Sequence, residues 1–212
     1  MSTHASATRR VVVAAALAFA VLAGTSVDAT TTRRLNLAQL IAESESIICG
    51  TVDRVTDGID EHGLPYTEFT IVVSSAAKGN AQDGTRRSFR QFGLQQARTM
   101  PNGAEMLALS PEGFPKWAEG ERVVAFLHKA ATRTGFQTTA GLAQGKLRMV
   151  DGRVSNEFNN EGLFDGVQVR DGLLSAKERS MLASTGPVDA ATLLGLIRRA
   201  VTENWIENGE MR

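Results

Sequence analysis

Cysteine and histidine, the side chains most often used as nucleophiles, bases or metal ligands, are scarce in this sequence. The 212 residues contain one cysteine and three histidines, and beyond residue 29 these are Cys49, His62 and His128. Cys49 lies in an apolar run typical of a strand, where cysteine usually behaves as a small buried hydrophobic residue. Neither histidine belongs to a nucleophile motif, and the sequence has no G-x-S-x-G elbow. We therefore predict no catalytic residues and a protein that is not an enzyme.

Metal ligands with short, regular spacing are also missing from the sequence. The nearest approach is the group Asp57, Asp60 and Glu61, close to His62 in a turn-rich stretch. A calcium loop would need more carboxylates at fixed positions, so we interpret these residues as a solvated hairpin tip. We predict neither a metal site nor a cofactor.

The most concentrated basic segment runs from Arg86 to Phe92 and has the composition of a strand. Alternation along a strand places Arg86, Arg90 and Phe92 on one face and Phe89 on the other. Two arginines beside an aromatic ring can hold an anionic sugar or phosphate group and stack on a ring, which makes these three residues candidate ligand-binding residues. The alternative is a charged edge strand that is protected from pairing with other chains. Both interpretations stay open.

The N-terminal 29 residues have the pattern of a secretory signal peptide. Arg9 and Arg10 precede an uncharged run from Val11 to Ala23, which is shorter than the roughly 20 residues that span a bilayer. The small-residue rule predicts cleavage between Ala29 and Thr30. We expect export to the periplasm or the extracellular space, with no membrane span after removal of the signal. The alternative is an uncleaved anchor or a buried helix.

The charge of the remaining chain limits its partners. Lys plus Arg and Asp plus Glu both number 23, and removing residues 1–29 keeps the chain nearly neutral. No global field attracts nucleic acid, so a partner must be recognised by a local surface. We expect an envelope or extracellular protein or a glycan, and no nucleic acid. A single cysteine excludes an internal disulfide.

The elements that would position these residues are mostly strands. Asn36 is a suitable N-cap for a helix over residues 37–45. About seven strands follow, and Gly50 in the first one indicates a bulge or bend. The predicted strands are Ser46–Val55, Tyr66–Ser74, Arg86–Phe92, Glu121–His128, Phe136–Ala140, Lys146–Val150 and Arg153–Phe158. Residues 93–120 are predicted to form an irregular excursion. The fourth strand, Glu121–His128, is apolar enough to be buried on both faces. The pair Asp151-Gly152 predicts a type I′ hairpin.

The C-terminal part of the sequence changes from strand to helix patterns. Ser175 and Glu178 have capping-box spacing and begin a short helix that extends to about Leu182. Gly186-Pro187 ends that region, and Asp189 caps a longer helix. The apolar stripe of this helix, which we expect to pack on the strands, consists of Leu193, Leu194, Ile197, Ala200 and Val201.

Four segments in a fixed order resemble a family of exported bacterial proteins of unassigned function. They are L-A-Q-L-I-A-E-S-E-S-I-I-C-G-T-V (residues 37–52), A-A-K-G (76–79), W-A-E-G-E-R-V-V-A-F-L (117–127) and Q-G-K (144–146). The resemblance implies a mainly β fold, an OB-like Greek-key barrel of about five to seven strands similar to the netrin and metalloprotease-inhibitor modules. A helix precedes the first strand and helices follow the last. The family places a proline-glycine-glycine segment after the third strand, where this chain has Gln91-Phe92-Gly93-Leu94.

These observations predict three segments: a signal peptide over residues 1–29, an OB-like domain with its N-terminal helix over 30–165, and a helical extension over 166–212. The expected function is that of an exported, soluble, non-catalytic binding or interaction module. One alternative is a protease-inhibitor-like module, although such modules present an N-terminal cysteine and the mature chain would begin at Thr30. An envelope hydrolase, with a pocket built from dispersed residues, is the other alternative.

The signal peptide can be tested on the protein isolated from its native envelope or culture medium. We expect mass spectrometry to give an N-terminus at Thr30, because Val27 and Ala29 satisfy the small-residue rule at the cleavage site. An intact Met1 in the mature protein, or its recovery only from the cytoplasm, would contradict export.

Overall fold

A computed structural model describes residues 33–100 and 102–212 of the chain. The predicted signal peptide, with the cleavage site at Ala29 and Thr30, lies outside the described residues. Arg33–Arg212 form one compact unit that is mainly β. Within the described ranges, no helix is long and apolar enough to cross a membrane.

The described residues form three helices and nine strands. The helices are α1 (Leu37–Glu43), α2 (Ala176–Leu182) and α3 (Ala190–Thr202), and a 3-10 turn covers Leu142–Gly145. The strands are β1 (Ser46–Ile59), β2 (Pro65–Lys78), β3 (Arg86–Phe92), β4 (Arg98–Thr99), β5 (Glu105–Met106), β6 (Arg122–Leu127), β7 (Lys146–Val150), β8 (Arg153–Ser155) and β9 (Val188–Asp189). Seven of them form an antiparallel sheet in the order β3-β2-β1-β6-β7-β8-β9, and β4 pairs with β5 separately.

The helices begin where the sequence predicts them. Asn36 accepts a hydrogen bond from the Gln39 backbone at 3.0 Å while the Gln39 side chain accepts one from the Asn36 backbone, which is a complete capping box. Ser175 and Glu178 form a second capping box, and Asp189 caps α3 by accepting from Thr192 at 2.8 Å. The first helix ends at Glu43, two residues earlier than predicted.

The strands β1 and β6 separate two apolar cores. In β6, Val123, Ala125 and Leu127 face one core while Val124 and Phe126 face the other, which confirms the prediction of burial on both faces. The core that Val123, Ala125 and Leu127 face is called the inner core here. Its other members are Ile48, Val52, Phe69, Ile71, Val73, Phe89 and Trp117. The core that Val124 and Phe126 face, which we call the outer core, is covered by α1 and by the C-terminal helices.

Helix α3 packs on the outer core with a stripe slightly different from the predicted one. Leu193, Ile197 and Ala200 are fully buried, as expected. Leu196 is also fully buried, whereas the predicted Leu194 and Val201 are only partly buried at the edge of the core. The strand β9 precedes this helix and joins the main sheet beside β8, an addition that the sequence patterns did not predict.

Two predicted strands differ most from the structure, while the strand predicted at Glu121–His128 is shorter by one residue at each end. Phe136–Ala140 is not a regular strand, because its isolated bridges join different neighbours: Phe136 pairs with Arg90 of β3, and Thr139 pairs with Leu127 of β6. The strand β8 ends at Ser155 and does not reach Phe158. The next backbone N–H, that of Asn156, donates to the Asn160 side chain at 2.9 Å and so leaves the ladder. The hairpin before β8 is as predicted, since Asp151 and Gly152 both have positive φ.

Gly50 allows β2 to approach β1 closely. The pairing of these strands shifts register between Cys49 and Gly50, as expected for a bulge. A Cβ atom at position 50 would overlap the carbonyl oxygen of Val72 and would lie 2.6 Å from the Ile71 Cγ2 atom. Backbone atoms cannot rotate away, so the position requires glycine.

We expect Gly50→Ala to lower the free energy of unfolding by about 1–3 kcal/mol, the usual effect of forcing extra volume into a packed site. Urea denaturation of the purified protein measures this change. Gly195→Ala is the matched control, because nothing lies within 4 Å of its new Cβ atom. In the interior of α3, alanine should stabilise the protein relative to glycine by up to about 1 kcal/mol. Equal stability of the two variants would contradict the close approach at Gly50.

Candidate functional site

The strand β3 presents the predicted ligand-binding residues to solvent. Arg86, Arg90 and Phe92 are exposed, and Phe89 is buried on the opposite face, as the alternation predicts. Both arginines already have acidic neighbours: Arg86 Nε lies 3.1 Å from Asp53, and Arg90 Nε lies 2.6 Å from Glu68. The described surface therefore neutralises the two guanidinium groups.

The three predicted residues do not converge on one point. Arg86 and Phe92 are six positions apart, which corresponds to about 20 Å along an extended strand. Arg86 lines a cavity of 370 Å³ at one end of β3, whereas Phe92 lines a different cavity at the other end. Arg90 lies between them, over the Tyr66 ring at 4.2 Å. Ligand binding on this face stays a prediction.

The residues with catalytic potential lie apart from one another. Cys49 is buried, with Ser74 Oγ as its neighbour at 3.6 Å. His62 lies exposed at the β1–β2 turn beside Glu61, and His128 has its Nδ1 atom 3.0 Å from the backbone oxygen of Glu43. Within residues 33–100 and 102–212 these groups form no pair of nucleophile and base, and no cluster of three or more potential ligands could hold a metal ion.

Asp57 is not part of the solvated tip, contrary to the prediction. Its side chain is only 9% exposed, and it forms an ion pair with Arg98. Its Oδ2 atom also accepts hydrogen bonds from the backbone N–H groups of Gln95 and Gln96, at 2.8 and 3.1 Å. Asp57 therefore fastens the start of the excursion (residues 93–120) to the end of β1.

The excursion contributes to a cavity lined by several aromatic side chains, which we call the aromatic cavity. It has a volume of 440 Å³, within the range of about 300–1,000 Å³ that is usual for small-molecule sites. Four aromatic side chains line it: Phe69, Phe92, Phe114 and Trp117. The other lining residues are Thr67, Gln91, Gly93, Leu94, Gln95, Ala108, Leu109, Ser110, Pro111, Pro115 and Lys116.

Trp117 is held firmly at this cavity. Its ring lies 5.4 Å from the rings of both Phe69 and Phe89, so the three aromatic side chains form a compact cluster in the inner core. Lys146 Nζ lies 5.2 Å from the Trp117 ring and forms an ion pair with Glu121 at 2.5 Å. Trp117 is only 6% exposed, and its indole N–H is buried with no hydrogen-bond partner among the described residues.

The wall of the cavity opposite β2 is built by two parts of the excursion that pair with each other. Leu94 and Leu109 exchange backbone hydrogen bonds of 2.7 and 2.9 Å. Gly93 has a φ of 141°, and a Cβ atom there would lie 2.6 Å from the Leu109 oxygen. Glycine at this position is therefore a requirement of the wall.

The motifs that carry the family resemblance have structural roles. The Gln144 side chain accepts from the Leu35 N–H at 2.8 Å and donates to the Arg33 oxygen at 3.3 Å, which fixes the chain before α1. Lys78 Nζ donates to the Ile41 oxygen at 2.8 Å, at the other end of the same helix. Glu121 binds Lys146 beside Trp117. These residues shape the fold and the floor of the cavity.

Sequence reasoning did not identify the aromatic cavity. Phe92 was predicted as a ligand-binding residue, but Trp117 and Phe114 were not. The sequence signal for this cavity is the composition of the excursion: it has no strand or helix pattern, yet it contains Trp117, Phe114 and three prolines. Apolar side chains in an irregular segment need a surface to cover, and here they cover the open side of the inner core.

Comparison with known proteins assigns no family, since no family model, curated protein or solved structure matches this chain.

The Asp57 contact makes the stability of the cavity wall depend on pH. Burial alone raises the pKa of the Asp57 carboxyl, but the hydrogen bonds from Arg98, Gln96 and Gln95 outweigh it and hold the pKa below its usual value of 3.8. Because folding lowers this pKa, the carboxylate stabilises the protein above pH 3.8. That stabilisation is lost as the pH falls through the lowered pKa.

We expect Asp57→Asn to lower the free energy of unfolding by about 1–3 kcal/mol at pH 7, because hydrogen bonds to a charged group are lost. The difference from the native protein should narrow as the pH falls below about 3.8, because the Asp57 carboxyl of the unfolded chain then becomes protonated, and it should vanish once the pH passes the lowered pKa of the folded protein. Urea denaturation between pH 7 and pH 3 measures both effects, and hydrogen exchange should show faster exchange at Gln95 and Gln96. Asp53→Asn, which removes an exposed ion pair, is the control and should cost no more than about 1 kcal/mol. A pH-independent effect of Asp57→Asn would contradict the charged contact.

Proposed function

We propose that this chain is an exported, non-catalytic binding module that holds a small apolar ligand in the aromatic cavity of an OB-like barrel. The observation that carries the proposal is the aromatic cavity itself, which has a volume of 440 Å³ and is lined by four aromatic side chains. Cavities of this size with mainly apolar and aromatic walls are typical of small-molecule sites.

The OB-like part of the proposal is supported by how residues 136–140 contact the sheet. The parallel bridge between Arg90 and Phe136 is accompanied by a 2.8 Å hydrogen bond from Gln137 to Arg90. On the other side, His128 donates to Thr138 at 2.9 Å and Ala140 donates to Phe126 at 2.7 Å. The segment thus contacts both β3 and β6. These contacts favour a ring of β1, β2, β3, residues 136–140 and β6, which would have the five-membered arrangement of an OB-like Greek-key barrel.

The scaffold is suited to holding a small molecule in the aromatic cavity. The aromatic side chains at the base of the cavity come from β2 and from a tryptophan fixed by Lys146, so their positions are set before a ligand arrives. Pre-organised apolar walls with a few polar groups are typical of small-molecule sites. The predicted signal peptide would bring this site to the periplasm or the extracellular space, where the ligand or an envelope partner would be met.

An inhibitor function has less support from the described contacts. The inhibitor modules act through a free N-terminal cysteine, whereas residues 33–35 of this chain are bound to the Gln144 side chain. Nothing in the described arrangement of Cys49, His62 and His128 favours hydrolysis. We therefore place binding in the aromatic cavity ahead of both alternatives.

Binding can be tested with N-phenyl-1-naphthylamine, an uncharged dye that fluoresces more strongly in apolar surroundings. We expect the full chain, purified from the compartment it reaches, to bind the dye saturably at one site. Ser110→Phe should weaken binding at least about tenfold, because Ser110 lines the cavity and a ring there would occupy its volume.

Two control variants separate the cavity from other surfaces. Leu107→Phe adds the same ring to an exposed position that does not line the cavity, and it should bind the dye as the native protein does. The double variant Arg86→Ser with Arg90→Ser should also leave dye binding unchanged. Absence of saturable binding, or equal binding by Ser110→Phe, would refute the proposal. Loss of binding in the arginine variant would move the site to the exposed face of β3.

A further inference from the structure

The strand β3 forms one edge of the main sheet. It pairs with β2 on one side. On its other side, the described residues make one main-chain contact, the bridge between Arg90 and Phe136 with its hydrogen bond from Gln137. The residues before this bridge, Arg86–Ser88, are exposed. The outer edge of β3 is therefore open over its first half.

The pairing with β2 fixes which main-chain groups of β3 point outward. At the two ends of an uninterrupted register, Gly93 N–H donates to the Pro65 oxygen at 3.1 Å and Val73 N–H donates to the Thr85 oxygen at 2.9 Å. Hydrogen-bonded and non-hydrogen-bonded residues alternate in an antiparallel pair. The odd-numbered residues of β3 therefore bond to β2, and the main-chain groups of the even-numbered residues point away from it.

Two of the outward-pointing residues, Arg86 and Ser88, have free main-chain groups. Among the described residues, neither their N–H nor their C=O groups have a hydrogen-bond partner. The third, Arg90, accepts from Gln137 at 2.8 Å, which agrees with the alternation. Arg86 and Ser88 together offer two donors and two acceptors, the row of groups with which an added strand pairs.

The side chains of this strand carry positive charge alone. Arg86, Arg87 and Arg90 belong to β3, and the strand has no acidic residue. Asp53 and Glu68 bind Arg86 and Arg90 through Nε, which leaves the Nη donors of both arginines. Within residues 33–100 and 102–212, Arg87 has no acidic side chain at ion-pair distance. Arg87 is thus the uncommitted charge of this edge.

This charge limits which strands can pair here. An added strand would lie about 4.8 Å from β3 and about twice as far from β2, so the arginines would be its nearest charges. A second copy of this chain, pairing through its own β3, would bring arginines beside arginines, and like charges across strands are destabilising. A basic strand would be repelled in the same way, whereas acidic side chains would be attracted.

From these observations we infer that the open edge of β3 accepts an extended acidic peptide segment of a partner protein, which adds a strand to the main sheet. The main-chain groups of Arg86 and Ser88 hold the segment, and the charge of Arg87 selects acidic residues in it. Neither Arg86, Arg87 nor Ser88 lines the aromatic cavity. The peptide surface is therefore a second site, and it does not depend on ligand binding in the cavity.

Three peptides with blocked ends test the two features by calorimetric titration of the full chain at low ionic strength. The peptide T-E-V-E-V-E-T has acidic residues and a strand-forming sequence. T-K-V-K-V-K-T reverses its charge, and T-E-P-E-P-E-T keeps the charge but cannot pair as a strand, because proline has no N–H. We expect the first peptide to bind at least about tenfold more tightly than either of the others, and its affinity to fall with added salt.

Variants at position 88 assign the main-chain contribution. Ser88→Pro removes the outward N–H, which β2 does not use, and proline is tolerated on an edge strand in that orientation. It should weaken binding of T-E-V-E-V-E-T at least about tenfold. Ser88→Ala is the matched control: both variants lose the 2.8 Å contact with Thr70 Oγ1, but alanine keeps the N–H and should bind as the native protein does.

A second pair of variants assigns the charge. Arg87→Gln should weaken binding of the acidic peptide about twofold to fivefold, the usual contribution of one exposed ion pair. Arg198→Gln removes an exposed arginine of α3 and should leave the affinity unchanged.

Hydrogen exchange on the native protein tests strand addition without any variant, and so decides the case even if Ser88→Pro unfolds. Saturating T-E-V-E-V-E-T should slow exchange at the outward amides of Arg86 and Ser88. The amides of Arg87 and Phe89, which already bond to β2, should change little. This alternation distinguishes an added strand from a peptide held by its charge alone.

Several results would overturn the inference. Absence of binding by T-E-V-E-V-E-T, equal binding of the proline peptide, or protection without alternation would each exclude strand addition. Equal binding of the basic peptide would exclude acidic selection. If the native protein forms dimers that Ser88→Pro converts to monomers, the occupant of the edge is a second copy and not an acidic segment.

Discussion

The burial of β1 and β6 on both faces is the constraint on which the rest of the structure depends. The side chains of β6 alternate between two cores, so each face of this part of the sheet must be covered by a different set of elements. A Val, Leu or Phe side chain left in water would forgo about 1.5–3 kcal/mol of burial. On one face the cover is α1 together with α2 and α3. On the other, the cover includes Phe69 from β2, Phe89 from β3 and Trp117.

The same constraint explains how the end of the excursion packs on the sheet. The sheet does not fill the inner core at the end near Phe92, and Trp117 from the excursion enters there to pack against Phe69 and Phe89. Its position is secured by Lys146, whose charge is balanced by Glu121. Removing one partner of such a largely buried pair typically costs about 3–5 kcal/mol, because the other charge is left uncompensated. The aromatic cavity is the space that remains between this fixed tryptophan and the wall formed around Leu94 and Leu109.

The scaffold and the candidate site are built by different parts of the chain. Gln144, Lys78 and Glu121 join helix α1, the strands and the base of the excursion, so the motifs that carry the family resemblance account for the scaffold. The site itself is built mainly by the excursion. Loops on a rigid scaffold commonly carry function. The face of β3 offers an exposed surface on which Arg86 and Arg90 are paired with carboxylates, whereas the aromatic cavity offers a recess lined by four aromatic side chains.

The sequence by itself determined the features that depend on neighbouring residues. The capping boxes at Asn36 and Ser175 join residues three positions apart, the Asp151-Gly152 turn depends on two residues, and the alternation of β3 depends on one strand, so each could be predicted. Only the tertiary structure decided the remainder. Asp57 bonds to Arg98, 41 positions away, and residues 136–140 divide their hydrogen bonds between β3 and β6. The candidate site belongs to this second kind, because a cavity is defined by segments that are distant in sequence, and no local pattern in the excursion indicates which core its tryptophan will enter.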